Sequence, residues 1–106
     1  MIRSDFPSNP KGKRYGRTVM PLYLRLLTVS GSPDEVAAAA KGHVEHLDRL
    51  RAAGQLHLAG EFVNGDGFVE ILDVEDRFEA ERLTRESPLV ERGLTSWILR
   101  EWKESV

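Results

Sequence analysis

Residues 19–29 carry apolar side chains at both sets of alternating positions, and only Arg25 interrupts the pattern. Such a segment is typical of a strand that is covered on both faces. A helical pattern follows, and Ser32 and Glu35 have the spacing of a capping box at its start. The pattern predicts a helix that ends just before Gly54, a residue type suited to the left-handed conformation that stops a helix.

Two further strands are predicted at residues 55–63 and 67–73, on either side of an Asn-Gly-Asp-Gly turn at residues 64–67. An Asn-Gly or Asp-Gly pair between strand-like segments is a strong local signal for a β-hairpin. These two strands are therefore expected to be antiparallel neighbours in one sheet.

A weaker helical pattern begins at Asp73 or Glu75 and continues to about Arg85, with Pro88 marking its end. Residues 94–102 alternate well enough to predict a last strand. The order of elements is thus β-α-β-β-α-β, which indicates an α+β fold with a four-stranded antiparallel sheet. Right-handed crossovers in this arrangement place both helices on the same face of the sheet.

The face of the sheet without helices is also expected to be apolar. Val69 and Ile71 alternate with Phe68 and Leu72, so either set leaves an apolar surface when the other packs on the helices. A second copy of the chain, packed sheet against sheet, would remove this surface from water. The pattern therefore predicts a homodimer.

Residues 1–18 differ in composition from the rest and predict a flexible basic N-terminal arm ahead of a domain at residues 19–106. The arm holds five basic residues and one acidic residue, whereas the remainder holds ten basic and sixteen acidic residues. The excess of acidic groups in the domain disfavours a nucleic-acid partner. Two interpretations of the arm stay open: Met20 is the natural start, or the arm folds over a partner subunit.

Length and composition limit the number of domains and disfavour several classes of protein. A chain of 106 residues has room for one core, and the chain contains no cysteine. No apolar run approaches the roughly 20 residues that cross a bilayer, and no signal segment is evident, so no membrane association and a cytoplasmic location are expected. The absence of a phosphate-binding glycine loop disfavours nucleotide-dependent chemistry.

His43 is the main candidate for chemistry, because it lies on the inward face of the first helix, where an aliphatic residue is expected. A buried imidazole needs a hydrogen-bond partner, and a carboxylate such as Asp66 would make it a usable general base. Two alternatives remain open. His43 can be a structural residue, and Asp66 is also favoured by the turn itself.

Four other polar residues are weaker candidates for a site. Arg25 could hold an anionic substrate or could pair with Glu70 across the sheet, and the ion pair is favoured. His46 follows His43 by three positions, so the two could share a metal with His57 or Glu61. Catalytic metal sites generally need three fixed protein ligands, so no metal or other cofactor is predicted. His46 and His57 are expected at the rim of the site or in solvent.

The chain resembles the YciI-like, or YCII-related, proteins over about residues 20–103. The resemblance includes the segment from His43 to Gly54, which is a histidine followed by a leucine-patterned helix and a glycine. It extends to the segments at 56–60, 66–67 and 87–93 and to a last strand ending in Trp102. It implies a ferredoxin-like dimeric α/β barrel. The family's proposed His-Asp active centre corresponds to His43 and Asp66.

The chain departs from the family pattern at Gly60-Glu61 and at Ser87-Pro88, where the family usually has Gly-Pro and Asp-Pro. The first departure lies beside the expected pocket. The residues expected to bind substrate are Arg25, His46, Gly60 and Glu61.

The resemblance implies a cofactor-independent lyase, isomerase or hydrolase that acts on a small organic, often aromatic, compound. In this interpretation His43 is the acid or base and Asp66 orients it. The alternative is a non-catalytic homodimeric module that binds a small ligand or another protein through the same cleft.

Overall fold

The fold was described from a computed structural model of the chain, which covers residues 21–105. The predicted arm at residues 1–18 and the predicted domain start at residue 19 lie outside these residues. The elements are β1 (Leu22–Val29), α1 (Pro33–Ala52), β2 (Leu56–Glu61), β3 (Gly67–Asp73), α2 (Arg77–Arg85), α3 (Pro88–Glu91) and β4 (Thr95–Trp102).

The four strands form one antiparallel sheet in the order β2-β3-β1-β4. Strand β1 is central, and its Arg25 lies opposite Glu70 of β3 and Leu99 of β4. The predicted α+β, ferredoxin-like arrangement is confirmed. Its consequence for the site is that Arg25, the one charged residue of β1, has a carboxylate as its direct neighbour in the sheet.

The helices pack on one face of the sheet and form the core with it. This face is defined by alternate strand residues such as Tyr23 and Leu27 of β1, which contact α1, α2 and α3 side chains. Two buried clusters divide the core between them, one made of Tyr23, Leu50, Leu72, Val74, Ala80, Leu83 and Leu99, the other of Leu27, Ala39, Leu89 and Leu94. Arg25 and Glu70 lie on this same face, between the two clusters.

Local sequence signals account for the main turns. The Ser32 side chain accepts a hydrogen bond from the Glu35 N–H at 3.2 Å, and the Glu35 carboxylate accepts one from the Ser32 N–H at 3.1 Å. The hairpin between β2 and β3 turns at Gly65, whose φ of 78° lies in the left-handed region. At Gly67 a Cβ atom would lie 2.5 Å from the Leu27 carbonyl oxygen, so a side chain there would disrupt the pairing of β3 with β1.

The structure also differs from the predicted elements. Strand β2 is shorter than predicted, and a short helix, α3, follows where the pattern predicts only the end of the second helix at Pro88. Pro88 is instead the first residue of α3, with Ser87 as its N-cap. On α1 the buried residues are Ala39, His43, His46 and Leu50, whereas Ala40 is exposed.

The sheet face opposite the helices carries several apolar residues, and we call it the open face. Leu24, Leu26 and Val69 are half-buried on it, while Leu58 and Ile98 are 47% and 54% exposed. Within residues 21–105, no helix is both long enough and apolar enough to cross a membrane.

Candidate active site

His43 is buried between α1 and the sheet, and both of its ring nitrogens have polar partners. Its Nε2 atom lies 2.7 Å from the Glu70 Oε2 atom, and its Nδ1 atom lies 3.0 Å from the Ser87 hydroxyl oxygen. His43 is 3% exposed, Glu70 1% and Ser87 0%. These contacts join α1, β3 and the start of α3 in one polar network inside the core.

Arg25 holds the Glu70 carboxylate in place from the neighbouring strand. The Arg25 Nε and Nη2 atoms lie 2.8 Å and 2.6 Å from Glu70 Oε1, which leaves Oε2 for His43. The favoured interpretation of Arg25 as an ion-pair partner of Glu70 is therefore confirmed. The Arg25 Nη1 atom also donates to the Thr84 hydroxyl at 3.4 Å and to the Leu83 carbonyl oxygen at 3.5 Å, which ties α2 to the same network.

Glu70 is ionised in this environment. Burial alone would raise the pKa of its carboxyl, but the hydrogen bond from His43 and the charge of Arg25 outweigh burial and lower that pKa below its ordinary value. An ionised carboxylate only accepts hydrogen bonds, so the His43 Nε2 atom must carry a proton. In the neutral ring, Nδ1 then has the free electron pair and accepts the hydrogen bond from Ser87.

His46 has the opposite tautomer. Its Nε2 atom lies 3.4 Å from the Arg25 Nη2 atom, and because a guanidinium only donates, this nitrogen accepts and the proton is on Nδ1. Burial lowers the pKa of His46 to about 4, and the positive charge of Arg25 adds to this effect. The His46 ring is stacked on the His43 ring with centroids 5.9 Å apart, so a neutral imidazole contacts both His43 and Arg25.

A close approach of α1 to α3 brings Ser87 to His43. Gly42 precedes His43, and a Cβ atom at Gly42 would lie 3.0 Å from the Pro88 side chain. The Ser87 hydroxyl oxygen also accepts a hydrogen bond from the Leu89 N–H at 3.2 Å, which is the capping contact of α3. The missing side chain at Gly42 and the cap together fix where the serine oxygen lies.

The predicted pairing of His43 with Asp66 is wrong. Asp66 is exposed in the hairpin turn, and the two ring nitrogens of His43 are occupied by Glu70 and Ser87. The turn chemistry that favours aspartate at this position explains why the residue is there. The carboxylate that orients His43 comes from the middle of β3, four residues further along the chain.

The other predicted site residues are placed as follows. Gly60 and Glu61 are exposed on β2, the edge strand, and stand opposite Val69 and Phe68 of β3. His46 is 1% exposed, so its predicted place at the rim or in solvent is wrong. The same expectation for His57 holds, since it is exposed and lies 2.9 Å from Glu104.

Two residues of the network, Glu70 and Ser87, were missed as functional candidates. The sequence pattern indicates Glu70 only as a partner for Arg25, and Ser87 only as a departure from a family pattern. Among residues 21–105, no group of three or more histidine, cysteine or acidic side chains is arranged to hold a metal ion.

Comparisons with known proteins are consistent with this architecture. A sequence model of the YCII-related domain matches residues 21–103. The uncharacterized protein YjpA of Bacillus subtilis is 32% identical over 82 residues, which are 77% of this chain and 92% of that protein. The fold is similar to that of 5-chloro-2-hydroxyhydroquinone dehydrochlorinase (TftG) of Burkholderia phenoliruptrix AC1100, solved in complex with 2,5-dihydroxybenzoquinone, with a TM-score of 0.72. That match has 20% sequence identity and covers 79% of this chain and 95% of the dehydrochlorinase.

Proposed function

This chain belongs to the YCII-related domain family, and on that premise we propose that it is a cofactor-independent enzyme acting on a small organic molecule. His43 is the general acid or base, and Glu70 orients it in the place first predicted for Asp66. The observation that carries the proposal is the 2.7 Å contact between the His43 Nε2 atom and a Glu70 carboxylate that Arg25 holds from the other side.

The geometry supports this role because it defines which nitrogen reacts. Glu70 keeps the proton on Nε2 and stabilises the positive charge that His43 acquires when Nδ1 takes up a proton. Arg25 and Glu70 neutralise each other, so no net charge surrounds a neutral His43. Such a site suits proton transfer to or from a weakly acidic compound, in a reaction of the lyase, isomerase or hydrolase type.

Two observations favour an aromatic substrate. The Phe68 ring lies beside His43, with centroids 5.3 Å apart, and offers an apolar surface next to the imidazole. The structurally similar dehydrochlorinase is named for an aromatic substrate and was solved with a quinone. Hydroxylated and chlorinated benzenes and quinones are therefore the first compounds to test.

We expect the replacement of His43 with glutamine to reduce turnover roughly hundredfold, the lower range for loss of a general acid or base. Glutamine keeps a hydrogen-bonding amide but cannot exchange a proton in the same way. The measurement incubates the wild-type protein and H43Q with chlorinated hydroquinones and hydroxybenzoquinones and quantifies products by mass spectrometry. The matched control is H57Q, which changes an exposed histidine and should keep wild-type turnover.

The alternative is a non-catalytic module that binds a small ligand. It is favoured by the depth of the network, since His43 is only 3% exposed and both its nitrogens are satisfied. Binding of 2,5-dihydroxybenzoquinone, followed by calorimetry, separates the two functions. Binding that persists in H43Q, with no turnover in either protein, would support the module and contradict the enzyme.

The homodimer is part of the same proposal. Packing of two open faces would cover Leu58 and Ile98, together with the half-buried Leu24, Leu26 and Val69. This sheet-to-sheet contact would also support the strands that carry Arg25 and Glu70 from behind.

We expect the substitution Ile98→Asp to weaken self-association at least tenfold, because it places a charge in the proposed interface. Sedimentation velocity over a micromolar concentration series measures the dissociation constant. The control is Phe78→Asp, which adds the same charge at a residue of α2 that is 75% exposed and lies on the helical side. A wild-type protein that sediments as a monomer would contradict the proposal.

A further inference from the structure

The two hydrogen-bond partners of His43 differ in how firmly they are held. Glu70 is fixed on Oε1 by two nitrogens of Arg25, and both side chains are buried, so the carboxylate cannot turn away without leaving a buried charge unpaired. Ser87 is uncharged and contributes a single rotatable hydroxyl. A proton can therefore leave or reach His43 only on the Nδ1 side, where Ser87 is the neighbour.

The Ser87 hydroxyl has the hydrogen-bonding roles of an activated nucleophile. It donates to the His43 Nδ1 atom at 3.0 Å, and the far nitrogen of the same ring is held by a carboxylate at 2.7 Å. Catalytic triads are recognised by this chain of contacts, in which a carboxylate orients a histidine and the histidine deprotonates a serine. Here the serine faces Nδ1 and the carboxylate faces Nε2, and the logic of the proton transfer is unchanged.

The position of Ser87 depends on features that a purely capping serine does not need. Gly42 permits the close approach of Pro88 to α1, and this approach brings the serine oxygen within reach of the histidine in the next position of the helix. The N-cap contact with Leu89 would form equally well with α3 further from α1. The same serine oxygen thus serves as a cap and as the neighbour of a base.

From these contacts we propose that Ser87 is a nucleophile, and that Ser87, His43 and Glu70 form a triad for acyl transfer from small esters or thioesters. This inference rests on the assignment of His43 as a base in the proposed function, and it adds a hydrolytic substrate class and a covalent intermediate. Ser87 is 0% exposed, so the reacting compound must be small and must part α3 from α1 as it enters.

The reaction balances with water as the only other reactant. The Ser87 oxygen bonds to the acyl carbon as its proton passes to the His43 Nδ1 atom, and the bond to the leaving alcohol or thiol breaks as that group takes the proton. Water then attacks the acyl-serine, His43 accepts a proton from the water, and the serine oxygen recovers a proton as the acyl bond breaks. Glu70 remains ionised throughout and stabilises the imidazolium that forms twice.

Diisopropyl fluorophosphate is a small probe for this chemistry, because an activated serine displaces its fluoride and keeps the phosphoryl group. We expect one adduct per wild-type chain by intact mass, mapped to Ser87 by peptide analysis, and none in S87A. In H43Q the labelling rate should fall roughly hundredfold. The matched control is S96A, which removes an exposed serine of β4 and should be labelled at the wild-type rate.

The wild-type protein alone already decides the proposal if a variant fails to fold. A wild-type chain without an adduct, an adduct at another residue, or labelling of folded H43Q at the wild-type rate would each overturn the triad. His43-dependent turnover that persists in S87A would overturn the triad but support His43 as a base, whereas unchanged turnover in H43Q would contradict the proposed function itself.

Discussion

Replacing Arg25 with methionine is expected to lower the free energy of unfolding by about 3–5 kcal/mol, because it leaves the Glu70 carboxylate buried without its guanidinium partner. Total stabilities of small domains are about 5–15 kcal/mol, so this loss would remove a large share of the margin. Urea titration followed by tryptophan fluorescence measures it as a lower transition midpoint.

Two controls separate the effect of the unpaired charge from the loss of an arginine. In the double variant R25M/E70Q the amide oxygen still accepts the His43 hydrogen bond, and no ion remains buried, so more than half of the lost stability should return. Arg51→Met removes an exposed arginine that lies 3.1 Å from Asp48, and it should cost less than about 1 kcal/mol. An R25M protein as stable as R51M would show that the buried ion pair contributes little.

The order of elements could be predicted because its signals are local. The apolar pattern of β1, the capping box at Ser32 and the turn around Gly65 each act over a few residues. Helix α3 was missed because four residues are too few to show a helical period. Its start was nonetheless present in the sequence, since Ser87 and Pro88 repeat the serine-proline pair that opens α1.

The site was only partly predictable, because its contacts join distant parts of the chain. His43 was identified by its place on the inward helical face, and the pairing of Arg25 with Glu70 follows from two polar residues in adjacent apolar strands. No local pattern in the sequence gives the position of α1 on the sheet. This position determines that His43 contacts Glu70 of β3 and not Asp66 of the turn. The close contact of Gly42 with Pro88, which brings Ser87 into the site, depends on the same helix packing.

Burial of His46 should make the protein lose stability in mild acid. The pKa of His46 is lowered to about 4 in the folded chain, chiefly by burial and then by Arg25 and His43, whereas in the unfolded chain it returns to its ordinary value of 6.5. At pH values between 4 and 6.5, His46 is protonated in the unfolded state but neutral in the folded state. The free energy of unfolding should therefore fall as the pH is lowered from 6.5 to 4, by about 3 kcal/mol from this residue.

Urea titrations at pH 7, 6, 5 and 4 test this against His46→Gln, whose amide oxygen still accepts from Arg25 but takes up no proton. In this variant the free energy of unfolding should lose the part of its pH dependence that comes from His46, which is at most about 1.4 kcal/mol per pH unit. The control His57→Gln should keep the wild-type pH dependence because His57 is exposed. Glu70 affects stability in a lower range of pH. Its lowered pKa contributes stability at pH values above 4.5, and that contribution disappears only in stronger acid. If H46Q and the wild-type protein lose stability equally between pH 6.5 and 4, the neutral histidine assigned beside Arg25 is wrong.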